Sequence, residues 1–219
     1  MYPILEDKSN NPFPDLPPIS YTDVYRQFKY SNIPDFMITD ELKMNVPRQD
    51  QKSFEQINLI LNHTEEFARK GLCLFLSSTN TGNGETTVAV KILKSYIHDF
   101  YYLKYPVCYF CYVPEFSQHC TQNKFSPSSR YKEMVNIMRN CEILVLDDLP
   151  YKQLIGDLLE QLILIVNHRV NNRKSIICTG NVPDEKELRS RLGDLLYSRL
   201  YTNSRFKIEF FAKDRRGSQ

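Results

Sequence analysis

The sequence predicts an α/β protein built on a parallel sheet with helices on both faces. Three observations carry this reading. From residue 54 onward, short apolar runs alternate with amphipathic stretches of helical period. A glycine-bearing polar loop, LSSTNTGNGETTV (76–88), joins the first apolar run to the helix after it. A later apolar run, EILVLDDLP, ends in two acids. Parallel strands need crossover connections, and helical crossovers cover both faces of the sheet.

The elements follow in chain order. Residues 1–18 are rich in Pro, Asn and Asp and read as an extended arm. Residues 20–29 form a short helix, capped by Ser20 or Thr22, with Val24, Tyr25 and Phe28 on its apolar side. Asn32-Ile33-Pro34 ends it, and 35–52 reads as linker. Apolar residues at 54, 57, 60, 61 and 67 predict one helix running to Gly71, a good stop. LCLFL (72–76) is the first strand, and a helix follows the loop to about residue 102. VCYFCYV (107–113) is the second strand, followed by helices in PEFSQHCTQ and RYKEMVNIMRN. EILVL (142–146) is the third strand, and KQLIGDLLEQLILIVNHRVNN a long amphipathic helix. KSIICT (174–179) is the fourth strand. Short helices flank Gly193, and RFKIEFFA (205–212) is the last strand.

The chain has 219 residues, with 42% hydrophobic and 25% charged residues, and this suits one domain with an arm. We divide it into an N-terminal arm and linker (1–50) and a core (51–219). The net charge of +2 does not by itself indicate nucleic-acid binding. Its distribution is uneven. From Arg189 onward, eight bases (189, 191, 199, 205, 207, 213, 215, 216) face three acids, whereas residues 1–50 carry five bases and eight acids. Separate surfaces for separate partners, or solvated faces of mixed sign, both fit that asymmetry. No apolar run reaches the roughly 18 residues that span a membrane. The start, MYPILEDKSNNPFPDLPP, lacks the basic and apolar regions of a signal peptide, so a cytoplasmic location is expected. Of the six cysteines, Cys73, Cys108, Cys111 and Cys178 fall in strand-like apolar runs. Cys108 and Cys111 are three apart on a strand and point to opposite faces. That argues against a shared metal despite the C-x-x-C spacing, and reduced core thiols are expected.

The loop fits the phosphate-binding pattern G-x-x-x-x-G-K-[ST], which lies between a strand and a helix. The nucleotide-binding set is Thr79, Asn80, Thr81, Gly82, Asn83, Gly84, Glu85, Thr86 and Thr87. The expected ligand is ATP or ADP with Mg²⁺. Gly82 and Gly84 allow backbone amides to turn toward a phosphate. The Thr86 hydroxyl opens the helix, within reach of Mg²⁺. Two positions depart from the pattern: Thr79 replaces the first glycine, and Glu85 replaces the lysine. At about 4 Å and an effective dielectric near 20, one such charge contact is worth roughly 4 kcal/mol. Reversing its sign weakens triphosphate binding and hydrolysis unless Mg²⁺ or nearby bases compensate.

EILVLDDLP supplies the second half of the signature. Asp147, at the carboxyl end of its strand, is the expected Mg²⁺ ligand together with Thr86. Asp148 is the candidate to orient the attacking water. SIICTGN ends in Asn181, which reads either as a sensor of the terminal phosphate or as a turn residue. Arg199, on the DLLYSRL helix, reads as a group reaching a neighbouring subunit's nucleotide or as a surface arginine. Arg191 competes for that role.

GLCLFLSSTNTGNGETT, EILVLDDLP, SIICTGN and LGDLLYSRLYTNSRFKIEFF together resemble the AAA+ helicase loaders of the DnaC/DnaI type and their IstB-like relatives, over roughly residues 30–216. The resemblance implies a P-loop three-layer sandwich with strand order 5-1-4-3-2 and little or no helical lid. It also implies a DnaB-type replicative helicase and single-stranded DNA as partners, and control of loading by ATP. The short arm, which has no cysteine, resembles phage or mobile-element forms. An IstB-like transposition helper, or a still-active ATPase with a compensated loop, is the alternative. By the same resemblance, single-stranded DNA contacts fall on 114–139. Lys124, Arg130, Lys132 and Arg139 are the bases there, and Phe125 and Tyr131 the stacking groups. Helicase docking falls on the apolar side of 19–37 (Ile19, Tyr21, Tyr25, Phe28, Ile33, Phe36). Homo-oligomerisation would run through Arg199.

Overall fold

The computed structural model describes residues 21–39, 42, 46–78, 82–103, 105–149, 152–181 and 184–211. Five strands form a single, wholly parallel sheet: β1 (Cys73–Ser78), β2 (Cys108–Tyr112), β3 (Ile143–Asp147), β4 (Ser175–Asn181) and β5 (Phe206–Phe210). The order is β2-β3-β4-β1-β5, the arrangement implied by the resemblance. The strand residues sort with period two. Leu74, Leu76, Cys108, Phe110, Ile143, Val145, Ile177, Ile208 and Phe210 enter one hydrophobic cluster. Cys73, Phe75, Tyr109, Cys111, Leu144, Leu146, Ile176 and Cys178 enter the other. Cys108 and Cys111 thus face opposite layers, as expected. All six cysteines are buried and free.

The first layer holds α1 (Tyr21–Tyr30), α2 (Asp35–Thr39), α3 (Gln51–Asn62), α4 (Thr64–Arg69) and α5 (Glu85–Phe100). The second holds α6 (Val113–Gln122), α7 (Ser129–Asn140), α8 (Gly156–Asn171), α9 (Glu185–Leu192), the single turn α10 (Asp194–Leu196) and a π-helical turn, Tyr197–Thr202. The segment 54–71, expected as one helix, breaks at His63, whose φ/ψ of −134°/37° is not helical. Residues 35–52, expected as linker, contain α2 and a 3₁₀ turn, Arg48–Asp50. Gly71 ends α4 as expected. It has φ 62°, with Leu72 N–H bonding Phe67 O and Gly71 N–H bonding Ala68 O, a Schellman closure.

The segment before the first strand covers both edges of the sheet. At the β2 edge, Phe110 N–H donates to Ser31 O at 2.8 Å, and Asn32 Nδ2 donates to Phe110 O at 3.0 Å. At the β5 edge, Ser53 Oγ donates to Glu209 O at 2.7 Å, and the buried Asp50 accepts Phe211 N–H at 2.8 Å. Edge strands left bare invite pairing with other chains, and these contacts occupy part of both. In between, Lys94 Nζ donates to the carbonyls of Met37 and Ile38 and binds α2 to α5.

Candidate functional site

The site forms at the carboxyl ends of β1, β4 and β3. Register places Ser78 opposite Asn181 and Leu76 opposite Thr179, while Leu146 pairs with Cys178. β4 therefore lies between the strand that leads into the loop and the strand that carries the acids. After β1, Thr79, Asn80 and Thr81 lie outside the described residues. Gly82 and Gly84 have φ of 80° and 93°, left-handed values that favour glycine. Gly84 is the N-cap of α5 and provides no side-chain cap. The first-turn amides of this 16-residue helix thus present partial positive charge.

Thr86 and Asp147, the two residues expected to share Mg²⁺, meet directly: Thr86 Oγ1 donates to Asp147 Oδ1 at 2.8 Å. Thr179 Oγ1 donates to the same oxygen at 2.7 Å. It also accepts the Asp148 amide at 2.9 Å, and its carbonyl accepts Leu149 N–H at 2.7 Å. Asp148 is bent into the left-handed region (φ 61°) and is half-buried. Burial pushes the Asp147 carboxyl above its ordinary range. The hydroxyls of Thr179 and Thr86 oppose that shift, and the Asp148 and Glu85 carboxylates add to it. Burial also raises Asp148. Glu85, the first residue of α5, therefore shares this pocket with two further carboxylates.

Asn83 and Thr87 complete the described part of the loop. Thr87 is half-buried on the first turn of α5. Asn83 is fully buried, and among the described residues neither Oδ1 nor Nδ2 has a hydrogen-bond partner. An orphaned buried amide beside an uncapped helix N-terminus fits a phosphate as the missing partner. The carboxylates of Glu85, Asp147 and Asp148 fit a terminal phosphate poorly without a cation. Among the described residues, no group of three or more His, Cys, Asp or Glu side chains is arranged to hold a metal by protein ligands alone.

Asn181 is half-buried at the end of β4. Arg199 lies in the π-helical turn with its Nε buried and, among the described residues, without a hydrogen-bond partner. No hydrogen bond among the described residues joins it to the Thr86–Asp147–Thr179 line. Arg191 is ion-paired with Glu187. Thr179 is the participant that the sequence reading missed. Its signal was a hydroxyl two residues before the expected sensor, at the end of an apolar strand.

The four candidate DNA-binding bases do not form one patch. Lys124 pairs with Asp157 at 2.9 Å, at the start of α8, and lies 5.6 Å over the ring of Phe125, which is 92% exposed. Arg130 and Lys132 are exposed on the first turn of α7. Arg139 sits at the other end of α7, near His168 in the last turn of α8, where it helps hold that imidazole below its ordinary value after burial. Asp157 and His168 are eleven residues apart on one helix, about 16 Å at 1.5 Å per residue. Tyr131 is not available to stack a base. It is buried against Phe116, with its hydroxyl on Cys120 Sγ at 3.7 Å. Arg130 lines a cleft of about 390 Å³ between α6 and α7 with Tyr109, Tyr112 and His119.

Of the candidate docking residues, Tyr21, Tyr25 and Phe36 are exposed. Phe28 and Ile33 are instead part of the core, because α1 packs against α5. Ile19 lies outside the described residues. Among the described residues, no helix is long and apolar enough to cross a membrane.

No protein-family model matches the chain, and no curated protein sequence does. Solved structures do match. The crystal structure of the DnaC helicase loader is 22% identical, with TM-score 0.66, over 80% of this chain and 99% of that one. The crystal structure of DnaI is 16% identical, with TM-score 0.60, over 84% and 94%. The replication initiator DnaA bound to AMPPCP and single-stranded DNA is 18% identical, with TM-score 0.59, over 78% of this chain but only 52% of that one. The chain has the five-stranded parallel α/β fold that these solved structures share, the DnaC and DnaI structures matching it over nearly their whole length.

Proposed function

We propose that this protein is a replicative-helicase loader or loader-like adaptor, acting in the cytoplasm on a DnaB-type helicase and single-stranded DNA, with a weakened ATP switch. The observation that carries the reading is the hydrogen-bonded line Thr86–Asp147–Thr179 at the head of the DnaC-like sheet. In this reading Thr86 and Asp147 would hold Mg²⁺, and Thr179 would position Asp147. With a nucleotide bound, Gly82, Asn83, Gly84 and the α5 amides would receive phosphate. Thr86 and Asp147 would hold Mg²⁺, which supplies charge neutralisation. Asp148 would orient water, and Asn181 would contact the terminal phosphate. Glu85 supports the weakened switch, because it adds a third carboxylate where the pattern has an ammonium.

The exposed side of 21–36, with Tyr21, Tyr25 and Phe36, is the helicase-facing surface in this reading, and residues 1–50 are the arm that carries it. Lys124, Phe125, Arg130 and Lys132 form the single-stranded DNA surface, while Arg139 stands apart from them. Oligomerisation would bring Arg199 toward a neighbour's site. A still-active ATPase is the second reading, supported by the intact Thr86–Asp147 contact.

Co-elution with a DnaB-type helicase, with and without single-stranded DNA, tests the proposal. A complex weakened by Tyr25→Ala and Phe36→Ala, with no loss of folding, is the expected result. Absence of any complex under all nucleotide conditions contradicts it.

A further inference from the structure

Arg139, separated from the other candidate DNA-binding bases, belongs to a second basic surface. This surface lies at the amino-terminal rim of the sheet, about 20 Å along β1 from the Thr86–Asp147–Thr179 line. At the rim the entries into β3, β4, β1 and β5 stand side by side. Ser175 N–H donates to Glu142 O at 3.2 Å, and Arg205 N–H donates to Cys73 O at 3.1 Å. Between them, a Cβ at Gly71 would lie 2.3 Å from Arg173 O, so those two backbones touch. Arg169 bonds the Met138 carbonyl at 2.7 Å and so brings the end of α7 beside the end of α8. At about 4.8 Å per strand, the rim runs about 14 Å from β3 to β5.

Five bases lie along it: Arg139, Arg173, Lys174, Arg205 and Lys207. Lys207 lies over the Tyr201 ring, on the α7–α8 side of the sheet, and Arg205 precedes it by two residues. Lys174 is ion-paired with Glu142 at 2.7 Å, which removes the one acid among these strand entries. Among the described residues Arg139, Arg173 and Arg205 have no ion pair, and Arg173 and Arg205 are exposed. The next acid on this side, Glu209, is four residues up β5 from Arg205, about 13 Å away. On the other face of the sheet Arg69 stands instead among Glu65, Glu66 and Asp99.

A helix C-terminus attracts one base, and that accounts for Arg139 in the last turn of α7. It does not account for Arg173. This residue lies beyond the α8 C-cap, Asn172, at φ 51°, in the left-handed region where glycine is favoured. An arginine is held there against its backbone preference. The rim also lacks a stacking platform. Its nearest ring, Tyr201, is covered by Lys207 and packs on Phe75 and Tyr197. Fixed positive charge without an exposed ring suits phosphates whose bases are already stacked with one another. A rim of about 14 Å spans four steps of 3.4 Å along one strand of a duplex.

We propose that this rim binds the sugar–phosphate backbone of duplex DNA, without regard to sequence, through Arg139, Arg173 and Arg205. It is separate from the single-strand surface around Phe125 and from the nucleotide site.

Fluorescence anisotropy tests it, with the full chain, a labelled 20-base-pair duplex of arbitrary sequence and a 20-nucleotide single strand, each over a salt series. Arg173→Gly with Arg205→Gln weakens duplex binding about tenfold or more at low salt. It also makes the slope of log affinity against log salt shallower by about two, one for each lost phosphate contact. Single-strand affinity stays within about threefold. Arg173→Gly alone melts at or above the wild-type temperature, because glycine suits the left-handed position, yet it loses about one unit of salt slope. Absence of duplex binding by the folded wild type, or an unchanged salt slope in the folded double variant, overturns the proposal. Equal losses on duplex and single strand overturn the duplex assignment. Polyglutamate that competes as well as unlabelled duplex at equal charge overturns it in favour of an acidic protein partner.

Discussion

Thr179 Oγ1 donates to Asp147 Oδ1 at 2.7 Å and at the same time accepts the Asp148 amide at 2.9 Å. One hydroxyl thus orients the side chain of the first acid and holds the backbone of the second in its left-handed bend. Thr179→Val keeps the shape and removes both bonds. It leaves the Asp148 N–H without this acceptor and Asp147 with one donor fewer. The expected loss is about 1–3 kcal/mol of stability, read by denaturant unfolding. Thr179→Ser restores most of it. A Val variant as stable as the wild type contradicts the clasp.

The acid pocket sets a pH dependence. Burial, and then the Asp148 and Glu85 carboxylates, hold the Asp147 carboxyl above its ordinary 3.8. A group with a raised pKa binds its proton more tightly in the folded chain than in the unfolded one. It therefore subtracts stability when ionised. The subtraction is full above the folded pKa and disappears below the unfolded one. Asp147→Asn still offers Oδ1 to Thr86 and Thr179 and carries no charge. It should melt above the wild type at neutral pH, with the gap closing as pH falls toward 3.8. Melting curves across that range check both the sign and the direction.

Arg169 holds the far end of the sheet. It is fully buried. Its guanidinium donates to the carbonyls of Met138 (2.7 Å), Cys141 (3.0 Å), Glu142 (3.0 Å) and Ser175 (2.5 Å). The Met138 carbonyl belongs to the last turn of α7 and the other three to the entries into β3 and β4, so one side chain fixes the spacing of the two central strands. Arg169→Met removes these donors from buried carbonyls and should cost about 3–5 kcal/mol. Arg169→Lys recovers little, because one ammonium cannot reproduce the planar fork. Chemical denaturation of both variants checks this.

Much of this architecture is legible in the chain. The strands announce themselves through apolar runs, and Cys108 and Cys111 reveal their opposite faces by spacing alone. Other features carry no periodic signal. The break at His63 is invisible because apolar residues continue in helical phase on both sides of it. Arg169 looks like an ordinary base in the last turn of an amphipathic helix, and only the fold surrounds it with carbonyls. Tyr131 resembles an exposed aromatic among bases, yet the register of α7 turns it inward against Phe116. At the site, the order of glycine loop, acid pair and polar strand end was readable. Thr179 was not, because its importance comes from β4 lying between β1 and β3.

In the proposed function, Glu85 sets the loop before α5 against a triphosphate. Calorimetric titration of ATP with Mg²⁺ into Glu85→Lys beside the wild type tests it most directly. The lysine variant is expected to gain at least about a hundredfold in ATP affinity, since an attraction of a few kcal/mol replaces a repulsion. Equal ATP affinity in the two proteins, with both folded, would contradict it.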